Sequence, residues 1–420
     1  MKWSQTRLWL VLPALVTSLL AVTKAGADSV TEWDDRACGI VVAAAVGPAV
    51  ENRVLAIVAT AVYEATNAIT GRYPPSPLGL QAPGASVPAA VAAANRTTLS
   101  RLVPSRSAAI DDAYRVALAA IPDGDAKTRG IAVGEAAAEA VLAMRADDGT
   151  SAQETYRPFT SAGVYVPTVL PFALQWPQRR PWNLSSSAQF RPGPPPQLTS
   201  ATWARDYEEI KDLGARNSTN RSAEQTKIAR FWTSTSPQLY HGVIHSVAGM
   251  PGREVTQNAR LLAAVSQAID DAVIAVFDAK YHYNFWRPVT AIRNGDIDGN
   301  SATERDGSWM PLIETPMHPE YPCAHCIISA TVGTVLQAEI GDGAMPTLTT
   351  ASPTAGGATR SWTRIEDFMS EVANARIWDG VHYRNSTEVG TEMGKQVGTL
   401  TAARFLRPAT SDRVATAGGH

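Results

Sequence analysis

The sequence predicts an all-α fold, with two packed helical bundles joined by a proline-rich crossover. Three observations predict it. Apolar residues recur at helical spacing over most of the chain, and strand-like runs are few. Residues 147–200 interrupt that pattern with Pro167, Pro171, Pro177, Pro181 and the run from Pro192 to Pro196, which excludes regular helix there. The 420 residues are 45% hydrophobic and 18% charged, a globular composition that rules out wholesale disorder, collagen and a simple coiled coil.

The first segment, residues 1–27, reads as a signal peptide. Lys2 and Arg7 precede the apolar run Leu8 to Val22, and Ala25-Gly26-Ala27 supplies a small-residue cleavage site. A secreted or periplasmic protein is expected, with no stable membrane insertion once the signal is removed. The N-terminal bundle follows over residues 28–146. Leu55, Val58, Val62, Ala65 and Ile69 mark one helix, and helices are also expected over 106–120 and 126–145. Trp176 and Trp182 make residues 147–200 an ordered, wrapping connection rather than a loose linker.

The second bundle is expected over residues 201–410. Helical patterns cover 201–214 and 222–233, where Ser222 suits a helix start. A long helix over about 254–280 carries the stripe Val255, Ala259, Leu262, Val265, Ile269, Val273 and Val276, and Lys280 is next on that stripe. A lysine there either snorkels out at the helix end or faces a buried anion. Residues 363–377 start on a Thr363/Glu366 capping box and lead through Ile365, Phe368 and Val372 to Arg376. Residues 343–362 read as loop or a small hairpin. In the last helix, 387–405, Gly390, Gly394 and Gly398 recur every four residues and invite the close approach of another helix.

Chemistry concentrates in three segments, 280–288, 318–326 and 376–384. They bring three cations, Lys280, Arg287 and Arg376, together with His325 and His382. Pro322 is a natural first-turn residue, which leaves the amides of Ala324 and His325 as unpaired donors suited to an oxyanion. Arginine adds forked hydrogen bonds to a tetrahedral anion. A histidine can ligate a metal or attack phosphorus, and a second can move protons. Lys+Arg 37 against Asp+Glu 39 gives a net charge of −2, so no global basic field speaks for a nucleic-acid partner. Cys38, Cys323 and Cys326 are too few for a disulfide framework, although one bond from Cys38 to either of the others is possible. Zinc at Cys323, His325 and Cys326 lacks a four-ligand spacing.

The order Lys280-x6-Arg287-Pro288, then Pro322 with His325, then Arg376-x5-His382 resembles the signature of the superfamily that unites type 2 phosphatidic acid phosphatases (PAP2) with vanadium-dependent haloperoxidases. Residues 222–405 carry the resemblance, and the soluble haloperoxidase-like branch is the nearer one. The resemblance implies a haloperoxidase-like helical fold and a vanadate cofactor. His382 would be the metal ligand and His325 the acid–base catalyst. Lys280, Arg287, Cys323, Ala324 and Arg376 would bind the oxyanion, with Lys280 also polarising peroxide. His318 and Trp286 are candidates for the halide side, since a histidine five residues before Cys323 resembles bromoperoxidases. The sequence departs from the family at Cys323 (serine), Ala324 (glycine) and Ser386 (commonly acidic). Asp270 or Asp271 is left to orient the His382 imidazole.

The function expected is thus an exported haloperoxidase that oxidises halide, bromide favoured, with hydrogen peroxide. The alternatives are a secreted PAP2-type acid phosphatase that holds phosphate in the same pocket and acts through a phosphohistidine, and a non-catalytic oxyanion-binding protein. Partners are small molecules, and a homo-oligomer is left open.

Overall fold

The computed structural model describes residues 28–406. The signal peptide expected at 1–27 and the end of the second bundle beyond 406 lie outside the described residues. Five helices build the first part: α1 (Ser29–Ala43), α2 (Pro48–Thr70), α3 (Val87–Leu102), α4 (Ser107–Ala119) and α5 (Asp125–Met144). Asp28 caps α1 by accepting from the amides of Val30 and Thr31. Gly47, at φ 88°, turns the chain into α2, and Pro48 takes the first turn, where its missing N–H costs nothing.

Residues 147–200 pack onto the second part through buried polar groups. Arg179 joins Asp148 to Asp270, and the Asp271 carboxylate accepts from the backbone amides of Trp182 and Asn183 at 2.6 and 2.7 Å.

The second part contains α6 (Ala201–Leu213), α7 (Ala223–Phe231), α8 (Pro237–Ala248), α9 (Val255–Tyr283), α10 (Pro288–Arg293), α11 (Ala324–Ile340), α12 (Ile365–Trp378) and α13 (Arg384–Phe405). An antiparallel hairpin of β1 (Leu348–Ser352) and β2 (Ala358–Trp362), with Leu348 opposite Trp362, links α11 to α12. Ser222 caps α7 with Gln225 as its reciprocal partner. The capping box expected at Thr363 and Glu366 is absent. β2 runs to Trp362, so the helix starts late, with Arg364 at the cap position and no side-chain cap.

α9 is the axis of the molecule. Its single expected stripe is too narrow a description, because it packs against α2, α11 and α13 and is buried nearly all round. The glycine ladder of α13 does meet a helix. A Cβ on Gly394 would sit 2.3 Å from the Ile327 carbonyl oxygen of α11, and one on Gly390 would sit 2.6 Å from that of Cys323. One apolar core runs from Val30 and Trp33 in α1 to Val397 in α13, so the two helical parts share a core. A smaller aromatic cluster of Trp203, Tyr207, Phe285, Trp286 and Tyr383 lies beside it. Among the described residues, no helix is long and apolar enough to cross a membrane.

Candidate active site

Segments 318–326 and 376–384 line one cavity of about 410 Å³, and segment 280–288 lies behind it, with Arg287 against His318 and His382. Its polar wall is His318, His325, Arg376 and His382, with Ala324 beside them. Val273, Val276 and Phe277 of α9 supply an apolar wall. The first turn of α2, from Gly47 to Asn52, Phe172 of the crossover and the loop Thr233 to Thr235 after α7 line it as well. These last residues carry no chemical motif and are not singled out by the sequence. Among the described residues that line the cavity there is no carboxylate.

His382 is held from both sides. Its Nδ1 lies 2.7 Å from Glu320 Oε1, which also accepts from the Tyr383 amide at 3.1 Å. Arg287 Nη1 lies 3.3 Å from His382 Nε2 and donates to the Val381 carbonyl. A carboxylate at Nδ1 places the proton there and leaves the lone pair on Nε2, where it accepts from Arg287 Nη1 and where a ligand would take that place. The acidic partner of the imidazole is therefore Glu320, not Asp270 or Asp271, which anchor the crossover. Ser386 adds only a 3.4 Å contact to the same Nδ1. Glu320 sits in a loop, where no periodicity gives its direction. The only sequence signal is an acidic residue two positions after His318 and five before His325.

Arg376 ends α12 inside the protein. Nη1 donates to the Trp232 carbonyl at 2.6 Å and pairs with Asp379 at 2.7 Å. Its Nε and Nη2 have no hydrogen-bond partner, although the side chain is fully buried, and neither has Nε2 of His325. Buried donors are normally satisfied. Unsatisfied donors on residues that line a cavity are what an anion would engage. The amides of Ala324 and His325 stand at the start of α11, where no carbonyl within the helix can receive them.

Other expected residues are placed differently. Lys280 is buried at the end of the α9 stripe, but it does not line the cavity. Nζ donates to the carbonyls of Pro319, Glu320 and Pro322 at 3.0, 2.8 and 2.5 Å. An ammonium has three protons, and all three are used. In this structure Lys280 braces the loop that carries Glu320 and meets no oxyanion. Arg287 lies behind the histidines, where its Nη2 is 3.0 Å from His318 Nδ1. Cys323 is the N-cap of α11. Its Sγ accepts from the Cys326 amide at 3.3 Å and is spent there, not on the cavity. Pro322 thus precedes the cap and is not a first-turn residue. Trp286 is in the aromatic cluster, stacked on Trp203 at 5.9 Å, and is not on the halide side. His318 does line the cavity. All three cysteines are free thiols, so no bond joins Cys38 to the site.

The electrostatics follow from burial and from the crowding of cations around the histidines. Burial, and then the neighbouring cations, pushes the pKa values of His318, His325 and His382 well below the usual imidazole value. Burial lowers Arg287 to about 10 despite Glu320. Burial raises Glu320 to about 7, against the pull of Lys280 and Arg287.

Both the sequence and the fold have relatives among known proteins. Residues 260–410 match the family model described as the VCPO second helical-bundle domain. Vanadium chloroperoxidase of Curvularia inaequalis is 26% identical over an aligned region that covers 35% of this chain and 29% of that protein. A bacterial vanadium-dependent iodoperoxidase superposes with a TM-score of 0.75 at 25% identity, covering 90% of this chain and 96% of that one. Residues 260–410 are thus similar to the second helical-bundle domain of vanadium chloroperoxidase. A holo bacterial vanadium-dependent chloroperoxidase, at TM-score 0.63 and 17% identity over 86% and 93% of the two chains, shares the fold. The matched stretch 260–410 contains His318, Glu320, His325, Arg376 and His382. The walls from α2 and Phe172 come from outside it. This chain spans under a third of the length of the Curvularia relative that it matches.

Proposed function

We propose that the protein is an exported vanadate-dependent haloperoxidase that oxidises halide, bromide in preference, with hydrogen peroxide. The observation that carries this reading is the set of partnerless buried polar atoms, Arg376 Nε and Nη2 and His325 Nε2, at a cavity with no carboxylate among its described lining residues and beside His382, whose Nε2 meets only Arg287 Nη1 at 3.3 Å. That donor set fits a tetrahedral oxyanion such as vanadate, and the likeness to vanadium-dependent relatives supports it. The basic start and apolar run of residues 1–27 support export.

Bound vanadate supplies Lewis-acid activation of peroxide towards halide attack. The chain does the rest. His382 offers Nε2 as the ligand and is kept in that tautomer by Glu320. Arg376 and the Ala324 and His325 amides neutralise and orient the anion. His325, which has no other demand on Nε2, takes or gives the proton there. Arg287 adds positive potential from behind and locks both His382 and His318. His318, on the wall beside Phe277, supports bromide as the halide.

The test is a paired assay. One arm supplies orthovanadate, hydrogen peroxide and bromide and follows bromination of a reporter. The other supplies a chromogenic phosphate monoester without vanadate. Vanadate-dependent bromination that is absent in His382→Ala is expected. Phosphate release that vanadate inhibits, without bromination, would make the protein a phosphatase acting through a phosphohistidine at His382.

Glu320→Gln tests the tautomer argument. The amide cannot hold the Nδ1 proton as a carboxylate does. Vanadate affinity is expected to fall roughly 10–100-fold, the usual cost of losing an outer partner of a ligating histidine. Equilibrium dialysis without peroxide or halide measures it apart from turnover.

A further inference from the structure

Away from the cavity, α1 and α8 face each other with two pairs of donor side chains. Asp34 and Cys38 are four residues apart on α1. His241 and His245 are four apart on α8, so each pair lies on one helix face. Asp34 Oδ2 lies 2.7 Å from His241 Nδ1 and 2.7 Å from His245 Nε2. Ligand atoms of Asp34, Cys38 and His241 all fall within 4.8 Å of one another, and all three residues are buried. His245 closes the group on its solvent side, with 19% of its side chain exposed, and its Nδ1 is 3.5 Å from Asp35 Oδ1.

We propose that Asp34, Cys38, His241 and His245 form a binding site for a zinc-class transition-metal ion that ties α1 to α8. Sulfur, two imidazoles and one carboxylate are a borderline-soft set that suits tetrahedral zinc or cobalt and disfavours calcium or magnesium. Metal–ligand bonds of about 2.0–2.3 Å put neighbouring nitrogen and oxygen ligands roughly 3.3 Å apart. The 2.7 Å contacts therefore open by about 0.6 Å, while the wider separations in the group, up to 4.8 Å among Asp34, Cys38 and His241, close towards that spacing. The half-exposed edge at His245 gives the ion an entry route, and Asp35 is in place as the outer partner of that imidazole. The site joins the first helix of one bundle to the second bundle, so an ion there would brace the helix that directly follows the signal peptide.

The test uses the purified protein stripped with chelator and titrated with Co²⁺. One equivalent is expected to bind, with tetrahedral visible bands and a near-ultraviolet thiolate-to-cobalt band, and Zn²⁺ should displace both. Cys38→Ser should remove the thiolate band, whereas Cys326→Ser should keep it. His245→Ala, at the exposed edge and least disruptive to folding, should keep the thiolate band but weaken Co²⁺ binding beyond the roughly 10–100-fold typical of an outer partner. Absence of stoichiometric Co²⁺ binding, or a thiolate band that survives Cys38→Ser, would overturn the site and leave the cluster as a hydrogen-bonded strut.

Discussion

Arg376→Ala is expected to lower oxidative turnover by about 10²–10³-fold, the usual cost of removing one preorganised donor from a site that stabilises developing charge. Oxyanion affinity should fall with it. Both effects have the same origin. The side chain is fully buried, yet two of its nitrogens have no partner, so their desolvation is already complete before any anion arrives. Arg376→Lys should recover only part of the loss. It restores a charge but not a planar fork, and Nη1 is already committed to the Trp232 carbonyl. The variant should still fold. Burial raises the Asp379 carboxyl to about 6 even against the pull of Arg376, so without the arginine it can protonate instead of remaining an uncompensated charge. Phosphate and vanadate binding by calorimetry, with thermal unfolding as a control, separates a lost contact from a lost fold. Unchanged anion affinity in Arg376→Ala would refute its assignment to the oxyanion.

The cations and histidines were legible because motif spacing survives translation into helix ends. Arg376 lies in the last turn of α12 and His325 in the first turn of α11, positions that follow from apolar periodicity. The contact between α11 and α13 was legible for a similar reason. Glycines every four residues have few uses other than close approach, and Gly394 meets the Ile327 carbonyl.

What stayed hidden depends on direction within loops. Glu320 and the carbonyls that take up Lys280 belong to the stretch from 318 to 322, which has no regular structure. The alternatives for Lys280 were solvent or an anion. A third, a cage of carbonyl oxygens, satisfies all three protons as well and cannot be seen until the loop is placed. Cys323 misled for a related reason. Occupying the serine position of a motif does not determine whether a side chain faces the ligand or its own helix, and here it caps the helix. Asp270 and Asp271 look alike on α9, but only packing shows that they face the crossover.

That crossover carries the largest expected loss of stability. Arg179 is fully buried, with Nη1 2.6 Å from Asp270 and Nη2 2.8 Å from Asp148. Burial opposes its charge, but the two carboxylates hold it firmly ionised. Arg53 and Arg145 also reach Asp148, at 2.8 and 3.2 Å, and Trp182 Nε1 donates to Asp270 at 2.9 Å. Arg179→Met keeps much of the stem's volume and removes the charge, which leaves Asp270 without its cation in a dry site. Breaking one side of a buried pair costs about 3–5 kcal/mol. At a urea slope of about 3 kcal/mol/M, the unfolding midpoint should fall by on the order of 1 M. Adding Asp270→Asn should recover part of the loss, because the stranded charge is then gone, and the double-mutant cycle measures the coupling. Oxyanion binding below the transition should persist in Arg179→Met. Phe172, the crossover's contribution to the cavity wall, is held independently by its amide to the Met317 carbonyl and by the Tyr281 hydroxyl to its own carbonyl. A variant that unfolds early but binds anion normally would show that the buried ion cluster secures the strap while the cavity is held by its own contacts.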